Sequence, residues 1–261
     1  MEHNISRLVF FLGGYDLEMV TIRKLLDEKK INYYDKKLSW GAKASDYKEE
    51  IDKTISEGLI PVLIELDNDL ELPKNCILID HHKERSGIDK PSSLRQVFDL
   101  LQLPSDQWTR EFQLVDADDK GHIKALVNIG ASKEEIIAIR KLAWQAQGIT
   151  DEQIEQGRLA ISKRKTLLDG KLTIVRLTHS RTAIVTDLLD PALGGPGYEN
   201  LLVISPEEVN FFGRGDVIFA LNEAFPGGWY GGSLPEYGYW GYDKPVSDVV
   251  ELLKDKICSN S

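Results

Sequence analysis

From residue 7 to residue 82 the chain alternates short apolar runs with longer amphipathic ones, and this rhythm limits its fold more than any other feature. RLVFFL (7–12) has the pattern of a buried strand, and DLEMVTIRKLLDEK (16–29) spaces Met19, Ile22, Leu25 and Leu26 along one helix face. A second strand is expected over 31–38, a helix over 45–57 with Ser45 as its N-cap, a third strand over 59–66 (LIPVLIEL) and a fourth over 76–79 (CILI). Further helices are expected over 92–102, where Ser92 or Ser93 follows Pro91, and over 133–145. Such alternation predicts an α/β domain with a mostly parallel, doubly wound sheet covered by helices.

The pattern changes after residue 148. ITDEQIEQGRLAISKRK (149–165) reads as one polar connecting helix capped at Thr150 or Asp151. Three strand-like runs follow, KLTIVRLT, TAIVTDLL and NLLVIS, and then a strand, a Gly-containing turn and a short helix in VNFFGRGDVIFALNEAF. PGGWYGGSLPEYGYWGYDKP has too many breakers for a long regular element. The expected organisation is therefore a domain over 1–148, a connector over 149–165 and a smaller α+β domain over 166–261.

Charge narrows the function. A formal net charge of −10 and a pI near 5.1 oppose a surface that tracks long nucleic acid, while leaving room for a small phosphorylated ligand in a local site. No run approaches the ~18 apolar residues of a membrane span, and the opening MEHNISRLVFFLGG lacks the basic start and cleavage site of a signal peptide. Two cysteines without a spacing motif, Cys76 and Cys258, fit a reducing compartment, so the expectation is a cytoplasmic protein with no membrane partner.

Acids fall where strands end. Asp16 and Glu18 follow the first run, Asp67 the third, and Asp80, His81 and His82 the fourth. In a parallel sheet those ends share one edge, the edge at which open α/β proteins place ligands. Several carboxylates in one place repel each other and need a counter-charge. A divalent cation supplies it, and oxygen ligands with an imidazole suit Mn²⁺ best, with Mg²⁺, Co²⁺ or Fe²⁺ as alternatives. One histidine of the adjacent pair would bind the cation and its neighbour would face the substrate. Asp119, before Lys-Gly in an expected loop, is a fourth candidate. Each acid alone is equally well explained as a helix cap or turn former.

In order and spacing, Asp16-x-Glu18, Asp67, the Asp80-His81-His82 triplet and Asp119 resemble the motifs of the DHH phosphoesterase superfamily. That family includes single-strand exonucleases, oligoribonucleases, cyclic-dinucleotide phosphodiesterases and family II pyrophosphatases. SSLRQVFDLL after the triplet, DDKG, and the Gly-rich GGWYGGSLP segment support the likeness. The resemblance implies two domains with a cleft between them and a pair of Mn²⁺ ions. Glu18, Asp67, His81 and Asp119 would bind the first ion, and Asp67 would bridge to a second held also by Asp16. His82 would contact the scissile phosphate, and Asp80 would orient an imidazole. The chain departs from the family in two ligands: Leu12 stands where a histidine is usual, and Glu18 replaces an aspartate. One cation, two weakly held cations, or a site completed by substrate all remain consistent with this. His3 precedes the first strand and belongs at its opposite end.

Among the substrate contacts expected from the smaller domain, Trp229, Gly231, Gly232 and Ser233 lie in the Gly-rich stretch, which lacks the histidine usual after the family's glycines, and Arg214 is a candidate anion contact. Glycine backbone amides approach phosphates closely, and aromatic rings stack on bases. The same aromatics would equally serve a domain contact or a homo-oligomer. His179 and Arg181 are weaker candidates for anion contact. The expected activity is hydrolysis of a small phosphorylated substrate such as a short nucleotide; the alternative is a metal- or nucleotide-binding protein that keeps the fold without hydrolysis. No GxGxxG or Walker sequence supports a redox or transferase enzyme.

Overall fold

A computed structural model describes residues 4–39, 41–82, 90–244 and 247–259; His3 lies outside them. The chain divides into two compact units, Met1–Gln147 and Gly148–Ser261. The polar helix expected as a connector is part of the second.

The first unit is built on β1 (Leu8–Leu12), β2 (Tyr33–Asp35), β3 (Ile60–Ile64) and β4 (Ile77–Ile79), in the order β2-β1-β3-β4 with every pair parallel. All residues of β1 and β3 are buried, as strands covered on both faces must be. Val9, Phe11 and Leu63 pack with Tyr47 and with Ile51 of α2 (Lys48–Ser56). The alternating residues Phe10, Leu12, Val62 and Ile64, also buried, point to the opposite face. The remaining helices are α1 (Leu17–Glu28), α3 (Ser93–Leu100), α4 (Arg110–Asn128) and α5 (Lys133–Ala146). Ser92 caps α3, its side chain accepting from Arg95 N at 3.2 Å.

Two local expectations change here. Ser45 is not an N-cap, because a 3-10 turn over Ala44–Tyr47 precedes α2. Asp119 is not in a loop but inside α4, which breaks just beyond it at Gly121 and His122. Glycine often marks a helix end, but here the helix resumes after a kink.

In the second unit, α6 (Asp151–Ser162), capped by Thr150, precedes a six-stranded mixed sheet. Its strands are β5 (Lys165–Leu167), β6 (Leu172–Arg176), β7 (Asn200–Ile204), β8 (Val209–Arg214), β9 (Trp229–Ser233) and β10 (Tyr237–Tyr242), ordered β5-β6-β7-β8-β10-β9. Only β6 and β7 run parallel. Leu172, Leu202, Phe211 and Trp240 form one core with α8 (Gly215–Ala224) and α9 (Val249–Ser259). Val175, Leu201 and Val203 form another with α7 (Ala183–Leu189).

TAIVTDLL, expected as a strand, is α7. Its β-branched residues favour a strand locally, but Gly157 of α6 leaves room for Ile184: a Cβ at that glycine would lie 2.5 Å from Ile184 Cγ2. Packing has overridden propensity. The Gly- and aromatic-rich stretch is also more regular than its breakers suggest, because β9 and β10 pair through it as a hairpin.

Candidate metal centre

The carboxyl ends of β1, β3 and β4 lead into Asp16 and Glu18, Glu65, and Asp80-His81-His82 at one rim. Gly13 makes the first approach close: a Cβ there would lie 2.4 Å from the carbonyl oxygens of both Ile64 and Glu65. The loop after β1 therefore rests directly on the end of β3. Asp16 then caps α1, its Oδ1 accepting from Met19 N at 2.8 Å, so cap and acid cluster share one residue. Glu18, the second residue of the helix, is 2% exposed, and its Oε1 accepts from Leu94 N at 2.8 Å.

His81 Nε2 is the meeting point. It lies 2.9 Å from Asp119 Oδ2, 3.3 Å from Glu65 Oε1 and 3.7 Å from Glu18 Oε2. Two sets of ligand atoms, each within 4.8 Å of one another, share it: Glu18, His81 and Asp119, and Glu65, His81 and His82. Beside it, His82 Nδ1 lies 2.9 Å from Asp80 Oδ1, which also accepts from His82 N. Asp80 thus fixes the half-exposed ring of His82, whose centroid is 4.7 Å from that of His81.

The third-strand acid that reaches His81 is Glu65, where Asp67 was expected. β3 ends at Ile64, and Glu65 turns the chain with φ +53°, so its side chain is the first to clear the sheet. By Asp67 the backbone has moved on to pair with the chain at Ala42 and Ala44. Among the described residues, Asp67 belongs to neither set of ligand atoms. The signal for Glu65 was in the sequence: a lone charge inside IPVLIEL marks where a buried strand has to stop. Ser93 Oγ donates to Glu65 Oε1 at 2.7 Å and steadies it.

Electrostatics reflect the crowding. Burial, with Glu65 and Asp119 nearby, pushes Asp16 up to about 6. Burial followed by the Asp119 and Glu65 charges raises Glu18 well above the usual carboxylate range. For Glu65 burial acts upward, but the nearby His81 imidazole and the Ser93 hydroxyl outweigh it and the carboxyl is held low. Burial opposes the His81 imidazolium, yet the Asp119 and Glu65 carboxylates prevail and push it up to about 11. For His82 the Asp80 contact dominates and raises its pKa.

The donor set fits a cation. Glu18 Oε2, His81 Nε2 and Asp119 Oδ2 are buried, close together, and make no directed hydrogen bond. Buried polar atoms are nearly always satisfied, so three converging on one point mark a place for something that accepts electron pairs from all of them.

The residues expected to contact substrate from the second unit are placed there as follows. Arg214 ends β8, with its Nε 3.0 Å from Asp216 Oδ1. Trp229, Gly231, Gly232 and Ser233 lie on β9, an edge strand. Trp229 lies over Gly241 and Tyr239 over Gly231, since a Cβ on either glycine would fall within 2.7 Å of the facing side chain. Both rings are exposed. His179 has a structural role: its Nδ1 accepts from Arg181 N, and its Nε2 lies 3.1 Å from Gln153 O.

No protein-family model matches the chain, and no curated protein matches it. Solved structures similar to it include an exopolyphosphatase-related protein from Bacteroides fragilis, at 12% identity and TM-score 0.49 over 97% of this chain and 92% of that one. Another is the pGpG-specific phosphodiesterase PggH from Vibrio cholerae, at 14% identity and TM-score 0.49 over 97% and 98% of the two chains. A third is the DHH domain of a member of the s1p family of ribosomal proteins, at 12% identity and TM-score 0.48 over 97% and 87%. Likeness at this level transfers neither activity nor substrate. What this chain itself holds is Asp80-His81-His82 at the tip of a parallel strand, facing acids from α1, α4 and the end of β3, and in this it resembles the DHH phosphoesterase superfamily.

Proposed function

We propose that the chain is a metal-dependent phosphohydrolase, with Mn²⁺ the best-matched cation and a small phosphorylated molecule such as a short nucleotide as substrate. The observation that carries this reading is the convergence of Glu18 Oε2, His81 Nε2 and Asp119 Oδ2, buried and without hydrogen bonds. Glu18, Glu65, His81 and Asp119 would hold the cation, with Asp16 at its margin. When bound, the cation supplies Lewis acidity and neutralises charge developing on the phosphate. His82, held by Asp80 with its side chain 38% exposed, is the group set to meet a phosphate oxygen. Without a cation, the Asp119 and Glu65 carboxylates favour the protonated form of His81. In the second unit, Trp229 and Tyr239 carry exposed rings of the kind on which a base stacks.

The test is Mn²⁺-stimulated cleavage across a panel of nucleotides and polyphosphates. Glu65→Ala and His81→Ala should each lower it by at least about 100-fold, while Asp67→Ala should leave most of it. Equal loss in Asp67→Ala and none in Glu65→Ala would overturn the ligand set. A second reading, a binding protein without hydrolysis, is favoured by Leu12, which is fully buried and offers no ligand. Such a protein would gain melting temperature with Mn²⁺ and nucleotide yet leave the nucleotide intact.

A further inference from the structure

Asp118 and Asp119 are neighbours in sequence with different surroundings. Successive residues of a helix point ~100° apart. Asp119 meets His81, whereas Asp118 is turned to α5, where Arg140 Nη1 lies 2.8 and 2.9 Å from its two oxygens. The Arg140 and Asp118 side chains are 6% and 7% exposed, so this is a buried ion pair joining α4 to α5.

Two further features show why α4 needs such a grip. The helix breaks at Gly121 (φ −170°, ψ 25°) and His122 (φ 48°, ψ −143°), two residues past Asp119, so regular hydrogen bonding from its far half does not fix the rotation of the first half. A cavity of about 100 Å³ is lined by Asp16, Glu18, Asp118, Asp119 and Arg140 among others, so packing around the two aspartates is incomplete although Leu114, Val115 and Ala117 are buried.

We propose that Arg140 is a positioning residue: by holding Asp118 it sets the rotation of α4 and thereby aims Asp119 at His81 and the cation. This rests on the reading of Asp119 as a metal ligand. Arg140 touches neither cation nor substrate in this role; its action on the centre runs through Asp118.

The test measures Mn²⁺ affinity of the full chain by calorimetry and by electron paramagnetic resonance. The double variant Asp118→Leu with Arg140→Met removes both charges together, so no lone buried charge remains to unfold the unit. It should keep its metal-free helical content and bind Mn²⁺ about 10- to 100-fold more weakly. In an Asp119→Asn background the same double change should shift affinity no further, because its route is already cut. Arg140→Lys, which keeps the charge but not the geometry, should show a smaller loss in the same direction, and it carries the test should the double variant fail to fold. Affinity within about twofold of the parent protein, or an equal loss in the Asp119→Asn background, overturns the proposal. If the unaltered protein takes up no Mn²⁺, the reading of the metal centre fails, and this inference with it.

Discussion

The two units treat buried polarity in opposite ways. In the second, Asn200 donates to Lys171 O at 3.0 Å and accepts from Arg214 N at 3.3 Å, and Ser205 Oγ donates to Glu208 O at 2.9 Å. There, among the described residues, Trp240 Nε1 is the one buried side-chain N or O atom lacking a hydrogen bond. The first unit buries Glu18, His81 and Asp119 against each other with their converging atoms unsatisfied. Burial and mutual repulsion oppose the ionised forms of Asp16 and Glu18, so near neutral pH the first unit gives up stability at its rim that the second does not. That contrast separates a part built to hold its shape from a part built to receive charge.

The contrast can be broken or sharpened by measurement. The largest effect belongs to the second unit: Trp240, fully buried between Phe211 and α8, should lose about 3–5 kcal/mol on replacement by alanine, equally with and without Mn²⁺ in urea titrations. A Mn²⁺-dependent loss there would erase the distinction.

Next comes pH. Asp16 is raised from 3.8 to about 6, so the native state holds its proton more tightly than the unfolded chain. Its contribution is full below about 4 and fades as pH rises to about 6. His81, raised from 6.5 to about 11, contributes fully below 6.5 and loses its share as pH rises through about 11. Both run the same way, whereas Glu65, held low, acts only as pH falls below the usual carboxylate range. The metal-free protein should therefore be more stable at pH 5 than at pH 8, by about 1 kcal/mol from Asp16 alone. Mn²⁺ needs the same groups deprotonated, so its gain in melting temperature should grow with pH. A metal-free stability that climbs from pH 5 to pH 8 would contradict this.

Glu18→Gln should raise metal-free stability at high pH by about 1–2 kcal/mol, since it removes a carboxyl whose ionised form burial opposes while keeping an acceptor for Leu94 N, and should sharply weaken Mn²⁺ binding. The smallest expected pair is Ser93→Ala and Ser205→Ala, each about 1 kcal/mol. The first should fall on Mn²⁺ affinity through Glu65, and the second on folding alone.

Much of this was legible in the residues. The parallel sheet follows from four apolar runs separated by amphipathic ones, and Ser92 and Thr150 mark helix starts by their own chemistry. The Asp80-His81-His82 triplet stands at the strand end where it was expected. Other features depend on contacts that sequence does not display. Whether the acid after β3 is Glu65 or Asp67 turns on a strand that stops at Ile64. Lys120-Gly121 looks like a loop until α4 continues beyond the kink, and α7 exists because Gly157 makes room for Ile184. Asp118 and Arg140 could not be paired from a separation of 22 residues without the helices that join them.

Gly13 sets the tolerance of the whole rim. With the carbonyl oxygens of Ile64 and Glu65 where a methyl would have to go, even alanine would pry the β1 loop away from the tip of β3. Every acid in the cluster could stay in place along the sequence and the grip on a cation would still slacken, because what gathers them is the absence of a single carbon atom.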